Sequence, residues 1–254
     1  MILLFTDFGT DGPYVGQMKS VLHIGAPTVP VVDLMHDAPP YDAESSAYLL
    51  AALTTSFPIG AVFLSVVDPG VGTERKAIVV KADGRWFVGP DNGLFAIITR
   101  RAGQVRAWEI SWRPECLSTS FHGRDLFAPV AAAIAATDEF DANRFGHDLP
   151  IEAVDRPHWP DELAKIIYID RFGNGVSGLL GENVSPNDAI LVHNVDIKGE
   201  TTFGSVPAGT VFWYVNSSGL VEIACNRGRA STRLGFEVGT VIKLAENQPV
   251  TAVT

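Results

Sequence analysis

Ile2-Leu3-Leu4-Phe5-Thr6-Asp7 is a short, almost wholly apolar run closed by an acid. The same signature returns where Pro27-Thr28-Val29-Pro30-Val31-Val32 leads to Asp33, and again where Ala61–Val67 ends on Asp68. An alternating pattern would mark strands with one wet face, whereas unbroken apolar runs mark strands covered on both faces. Between the runs, Val15, Met18, Val21 and Leu22 fall at helical spacing, and Ala43 to Leu53 reads as a second helix with Pro58 beyond it. Strands alternating with helices predict an α/β domain built on a mainly parallel sheet. Asp7, Asp33 and Asp68 then sit at the carboxyl ends of three strands, the edge at which open α/β sheets hold ligands.

The pattern changes after Asp68. Ala77–Ala82 and Trp86–Val88 flank Asp83-Gly84, a two-residue hairpin signal. Val105–Ile110 predicts another strand, and Leu126 to Ala136 an alanine-rich helix carrying Pro129. Pro150, Pro157 and Pro160, set among charges, predict a linker over 148–162. Beyond it Lys165–Ile169, Ala189–Val192, Val211–Val215 and Val221–Cys225 are strand-like runs separated by Gly, Asn, Ser and Pro, with no competing helical stretch. The expected organisation is an α/β domain over 1–147, the linker, and a small all-β, barrel-like domain over 163–254.

The 254 residues are 46% apolar and 19% charged, a balance that buries a core and excludes a disordered chain. Asp and Glu number 29 against 19 Lys and Arg, for a formal charge of −10. Such a chain offers no basic footprint to a phosphate backbone, so nucleic acid is not an expected partner. Cys116 and Cys225 have neither metal-like spacing nor the numbers for a disulfide framework. No apolar run nears the roughly 18 residues of a membrane span, and no basic leader precedes Ile2. The expectation is a cytoplasmic protein without a membrane partner.

Three polar, glycine-rich segments stand out: Thr6-Asp7-Phe8-Gly9-Thr10-Asp11, Asp68-Pro69-Gly70-Val71-Gly72-Thr73-Glu74-Arg75 and Phe121-His122-Gly123-Arg124-Asp125. None carries Gly-x-Gly-x-x-Gly or Gly-Lys-Ser/Thr spacing, and the chain has no Gly-x-Ser-x-Gly elbow. Taken singly, each residue has an ordinary reading. Asp7 is a helix cap or turn former, Asp68 the start of a turn, Arg75 a solvated charge and His122 a hydrogen-bonded structural residue. Asp33, His36 and Asp37, with Asp7 and His122, also supply the oxygen and nitrogen donors of a metal-dependent hydrolase, though in no compact motif. The three segments occurring together at one sheet edge favour a functional site.

Five N-terminal strings carry a family resemblance: Thr6-Asp7-Phe8-Gly9, Tyr14-Val15-Gly16-Gln17-Met18-Lys19, Val67 through Arg75, Gly89-Pro90-Asp91-Asn92-Gly93 and Phe121 through Asp125. Ile169-Asp170-Arg171-Phe172-Gly173-Asn174 and Asn216 through Ala224 add the C-terminal half. In order and over essentially the whole chain, they resemble the S-adenosyl-L-methionine hydroxide adenosyltransferases, the water-using relatives of the fluorinase and chlorinase.

The resemblance implies cleavage of S-adenosyl-L-methionine (SAM) to adenosine and L-methionine by attack of water or hydroxide on the ribose C5′. It makes Asp68, Arg75 and His122 the water-activating trio, which the halogenating relatives lack. It gives Asp7 the ribose hydroxyls, Tyr41 the sugar face, Phe172 and Asn174 the adenine, Phe203 packing on the nucleoside, and Asp170 with Ser217 the methionine end. It implies no metal or other cofactor, and a homotrimer in which the N-terminal domain of one subunit and the C-terminal domain of its neighbour form each site. Two departures stand out: Ser218 where relatives often carry an aromatic or a carboxylate-gripping arginine, and Gly175-Val176-Ser177-Gly178 in place of an apolar-Thr-Asn run.

The chemistry fits those roles. A sulfonium departs as a neutral thioether and needs no acid, so the difficulty is the nucleophile, since bulk water has a pKa near 15.7. A carboxylate and an imidazole orient or accept its protons, and a guanidinium favours hydroxide-like charge. A binding module for SAM or adenosine that performs no chemistry needs Asp7, Phe172 and Asn174 but not all of Asp68, Arg75 and His122.

Overall fold

The computed structural model describes residues 1–245, so the last part of the expected C-terminal domain, 246–254, lies outside the described residues. The chain divides into two compact units, Met1–Trp159 and a second beginning at Pro160.

In the first unit, strands β1 (Ile2–Thr6), β2 (Val31–Met35), β3 (Val62–Val66), β4 (Ala77–Ala82), β5 (Arg85–Pro90), β6 (Val105–Ile110) and β7 (Gly146–Leu149) form one sheet. Its order is β2-β1-β3-β5-β4-β6-β7. The first four strands in that order run parallel, and β4, β6 and β7 continue antiparallel. Helices α1 (Tyr14–Gly25), α2 (Ala43–Thr54), α3 (Ala96–Arg101), α4 (Ala128–Thr137) and α5 (Ala142–Phe145) accompany them. Every residue of β1 and β3 is buried, as unbroken apolar runs require. Ile2 and Leu4 pack with Met18 and Leu22 of α1 and with Val130, Ala131 and Ile134 of α4. Leu3 and Phe5 alternate to the other face. Each such side chain contributes about 1.5–3 kcal/mol by leaving water. Helices α1 and α4 touch through small residues: a Cβ at Gly25 would stand 2.8 Å from that of Ala132.

The expected helix over 126–136 begins later. Gly123–Phe127 is one wide, five-residue turn, and α4 follows with Pro129 in its first turn, where no amide partner is required. The pattern also left out α3, which is only six residues long and too short for periodicity to register.

The expected linker is largely structured. Its first residues finish β7, which pairs with β6. Arg100 then ties down the rest, donating to Trp159 O at 2.8 Å, Asp155 Oδ1 at 2.8 Å and Arg156 O at 2.9 Å. The prolines punctuate turns in a docked segment, and the break between units follows Trp159.

The second unit contains β8 (Leu163–Ile169), β9 (Gly175–Leu180), β10 (Ile190–Val192), β11 (Val195–Ile197), β12 (Val211–Val215), β13 (Leu220–Cys225), a five-residue helix α6 (Ala230–Leu234) and β14 (Ile242–Leu244). These strands form two antiparallel sheets, β12-β13-β9-β8 and β11-β10-β14. Ile166, Ile190, Val192, Trp213, Val221, Ile223 and Ile242 share their core. Strand β9 is the departure run Gly175-Val176-Ser177-Gly178, unexpected as a strand because of its glycines. Those glycines admit close packing: a Cβ at Gly175 would lie 2.6 Å from the Phe236 ring, and one at Gly178 2.6 Å from Leu163.

Candidate active site

Asp7 follows β1 directly, and the turn after it is pinned from several sides. Gly9, at φ 69°, donates its N–H to His36 O at 2.7 Å. Ala38 N–H donates to Thr6 O at 3.1 Å. The Thr6 hydroxyl meets His36 Nδ1 at 2.8 Å, His36 Nε2 meets Asp33 Oδ1 at 3.0 Å, and Lys19 Nζ donates to Asp33 Oδ2 at 2.7 Å. Two residues of the metal-hydrolase alternative, Asp33 and His36, are therefore engaged in bracing this turn. Among the described residues no three His, Cys, Asp or Glu side chains group as metal ligands.

The Asp7 carboxylate accepts the Tyr41 N–H at 3.2 Å. Partial burial pushes its pKa above the ordinary aspartate value; the Tyr41 N–H opposes this and the nearby Asp68 charge adds to it. Tyr41 has φ 62°, a left-handed conformation that is costly for a residue with a side chain, and it is 79% exposed.

Asp68 follows the end of β3. Arg75 grips it with both arms: Nε donates to Oδ1 at 2.9 Å and one terminal nitrogen donates to Oδ2. That same nitrogen lies 3.0 Å from His122 Nδ1, while the other donates to Lys76 O at 3.2 Å. The guanidinium rests over the Phe127 ring at 5.1 Å. Both side chains of the pair are nearly buried, Arg75 at 10% and Asp68 at 5% exposure. A guanidinium only donates, so His122 Nδ1 is the acceptor and the ring proton resides on Nε2. Burial, followed by the Arg75 charge, holds the His122 pKa below the ordinary histidine value. The imidazole is thus neutral at pH 7, with its Nε2–H free of protein partners among the described residues.

Gly72 lets the Asp68–Arg75 loop reach the loop that carries His122. It adopts φ 80°, and a Cβ there would fall 2.6 Å from Thr119 O. On the far side, Arg124 donates to Asp125 at 2.5 and 3.0 Å and to Gln17 Oε1 at 2.7 Å, while Asp125 Oδ2 accepts the Ser118 N–H at 2.9 Å. In Phe121-His122-Gly123-Arg124-Asp125, Arg124 and Asp125 therefore brace the loop and His122 meets Arg75.

Asp7, Tyr41, Asp68 and His122 line one cleft of about 610 Å³ in the first unit, with Arg75 behind Asp68. Sequence reasoning left out Phe8, Tyr14, Gln17 and Phe121 of the same wall. The three aromatic rings pack edge-on or tilted at 5.4–5.9 Å. Tyr14 and Gln17 lie one turn apart at the start of α1, a spacing that could have placed them on one face.

The second unit has its own cleft of about 840 Å³, and Asp170, Phe172, Asn174, Phe203 and Ser217 all line it. Asp170 accepts from Asn174 twice, from N–H at 2.8 Å and from Nδ2 at 3.1 Å. One N–H of the Asn174 carboxamide is thus engaged, while its oxygen is buried without a partner among the described residues. The expected donor and acceptor of Asn174 both remain, the oxygen and the second carboxamide N–H. Phe172 is 72% exposed. Phe203 packs on Phe212 and Tyr214 at 5.2 and 5.4 Å. Ser217 sits in a turn held by Asn216 Oδ1, which accepts the N–H groups of Ser218 at 2.9 Å and Leu220 at 3.1 Å.

The linked Asp68, Arg75 and His122 at one cleft and the aromatic and polar lining of the other accompany a match over most of the chain. Residues 2–144 match the SAM hydroxide adenosyltransferase N-terminal domain, and residues 164–243 match the C-terminal domain of the same family. The chain belongs to the SAM hydroxide adenosyltransferase family. It is 38% identical to the (R)-S-adenosyl-L-methionine hydrolase of Thermus thermophilus, over 96% of this chain and 98% of that protein. The hydrolase of the same name from Salinispora tropica is 37% identical, over 94% and 95%. Fluorinases are more distant, at 24% identity over 90% of this chain and 75% of the protein from Nocardia brasiliensis. The crystal structure of a conserved protein from Thermotoga maritima superposes with a TM-score of 0.86 at 30% identity, covering 96% of this chain and all of that one. Among the described residues no helix is long and apolar enough to cross a membrane.

Proposed function

We propose that this protein hydrolyses (R)-S-adenosyl-L-methionine, the substrate in the names of its relatives, to adenosine and L-methionine. The observation that carries this reading is the Asp68–Arg75–His122 constellation, its ion pair nearly buried, beside Asp7 at the carboxyl edge of the sheet.

In this mechanism a water molecule receives a hydrogen bond from His122 Nε2–H and donates one to Asp68. Its oxygen attacks C5′ in line with the C5′–S bond, and the sulfur leaves with the bonding pair as the neutral thioether of methionine. The surplus water proton passes to Asp68. His122 orients the water instead of deprotonating it, because Arg75 occupies its one acceptor nitrogen. Arg75 steadies Asp68 and favours negative charge on the attacking oxygen. Sulfonium and developing hydroxide cancel one another, so a site poor in water favours the step. Asp7 accepts from the ribose hydroxyls, Tyr41 covers the sugar, and the Asn174 oxygen accepts from the adenine amino group. Phe172 and Phe203 face the base, while Asp170 and Ser217 hold the methionine end. No metal takes part.

The working form is a homotrimer, with the N-terminal cleft of one subunit completed by the C-terminal cleft of its neighbour, and the two C-terminal sheets forming a barrel-like unit. The division of the expected site residues between two clefts supports this, as do the exposed Tyr41 and Phe172. Two unpaired cysteines fit a reducing, cytoplasmic setting.

The test is incubation with each sulfonium epimer, with products followed by chromatography. Consumption of the (R) epimer to adenosine, undiminished by chelator, is expected. Inertness toward both epimers overturns the reading.

A further inference from the structure

The C-terminal cleft contains a carboxylate that the mechanism above leaves unused. Glu222, in β13, is 6% exposed. Its Oε1 accepts the Tyr214 hydroxyl at 2.8 Å and its Oε2 accepts Asn216 Nδ2 at 3.0 Å. Both donors are neutral. Burial, then the Glu222 hydrogen bond, pushes the Tyr214 phenol far up, so it remains a donor.

Strand register places this carboxylate on one face with Asp170 and Asn174. Tyr214 pairs with Glu222, Glu222 with Val176, and Val176 with Tyr168. Side chains of paired residues share a face, and so do residues two apart along a strand. Asp170 lies two residues beyond Tyr168 and Asn174 two before Val176, and the ladder continues through Asp170 N–H to Asn174 O at 3.0 Å. Asp170, Asn174, Tyr214 and Glu222 all line the cleft. Arg171, Arg227 and Arg229 line it too, yet among the described residues none forms an ion pair with Asp170 or Glu222.

Two carboxylates without a cation, one of them almost fully buried, are an arrangement that folding alone does not favour, since buried charges are normally paired. The Asn174 oxygen, on a residue only 4% exposed and without a partner among the described residues, lies in the same cleft and takes a donor as well, the adenine amino group in the reading above. A ligand that is cationic and rich in N–H donors satisfies both. Resting on the hydrolase reading, we propose that Glu222 is a specificity residue: with Asp170 it forms an anionic pair that selects the positively charged amino-acid arm of the substrate over neutral nucleosides. It works by charge, at short range. Adenosine, which lacks that arm, gains nothing from it.

The test is calorimetric titration of the wild type and Glu222→Gln with two non-reacting probes, adenosine and sinefungin, a SAM analogue with an amine-bearing carbon in place of the sulfonium. For Glu222→Gln, sinefungin affinity is expected to fall roughly ten- to a hundredfold, the range of a charge-assisted contact, while adenosine affinity stays the same. Glu222→Asp, which keeps the charge, is expected to keep the preference for sinefungin. Unchanged sinefungin binding in Glu222→Gln overturns the inference and leaves the hydrolase reading intact. So does a preference lost equally in Glu222→Asp, which marks a structural role. A wild type that binds neither probe overturns both.

Discussion

Arg75→Met removes the one group that contacts both Asp68 and His122 while keeping an unbranched chain over Phe127. Three effects follow. Asp68, at 5% side-chain exposure, loses its bidentate partner, and breaking a nearly buried pair typically costs about 3–5 kcal/mol; the low end applies here, because Asp68 borders a cleft. The attacking water loses its nearby positive charge, and removal of one such electrostatic group typically lowers kcat about 10²–10³-fold. Third, His122 Nδ1 is released to accept a proton beside the unpaired Asp68 carboxylate.

In the wild type, burial and Arg75 hold the imidazole pKa below about 6.5, the unfolded value. Its contribution to stability is present above that value and fades as pH falls through the depressed folded pKa, because the unfolded chain then binds more protons. In Arg75→Met the folded pKa rises, so imidazolium appears at higher pH and the acid limb of the rate profile moves up with it. Heteronuclear NMR of the His122 ring, urea titration and kcat against pH read the three effects separately. A variant with near-normal kcat and an unmoved His122 titration refutes the reasoning, because Arg75 would then act on neither the water nor the imidazole.

Asp68→Ala is expected to abolish turnover while leaving SAM binding largely intact; lost binding with normal turnover of the bound fraction contradicts its role. Gly72→Ala forces a Cβ to 2.6 Å from Thr119 O at φ 80°, and a cost of about 1–3 kcal/mol in thermal melts with a larger fall in kcat than in binding is expected. Asp7→Asn removes a carboxylate whose raised pKa marks an unfavourable burial of charge. A raised folded pKa means stability declines as pH climbs through it, so the variant is expected to melt higher than wild type at neutral pH while KM rises roughly tenfold or more; a lower melting temperature with unchanged KM speaks against the ribose role. Mixing Asp68→Ala with Phe172→Ala subunits is expected to restore activity beyond either alone, because one kind of mixed site keeps both residues; no restoration counts against a shared site.

How far the sequence could be read depended on how much of each signal was local. β1 and β3 are legible because a strand covered on both faces must be apolar throughout, and their closing acids mark the ligand edge without further information. β9 was not legible, because Gly175 and Gly178 are dictated by the Phe236 ring and by Leu163, contacts distant in the chain. The 148–162 segment read as a linker from its prolines, yet Arg100, some fifty positions earlier, anchors it. In the site, the segments carrying Asp68, Arg75 and His122 stand out by falling together at one sheet edge, but the residues' separate roles come only from the resemblance, since each alone has an ordinary reading. The resemblance assigns Asn174 to the adenine, but that one of its carboxamide N–H groups is held by Asp170 appears only in three dimensions. Glu222 falls within the resembling string Asn216 through Ala224 but has no role of its own there, because a Glu in a strand is unremarkable until its burial is known.

The most direct test of the central claim is turnover of (R)-S-adenosyl-L-methionine in ¹⁸O-labelled water by chelator-treated protein, read by mass spectrometry of the nucleoside. Adenosine carrying ¹⁸O at the 5′ oxygen is the expected result and establishes water attack on C5′. Intact substrate bound to the protein, or a nucleoside without label, contradicts it.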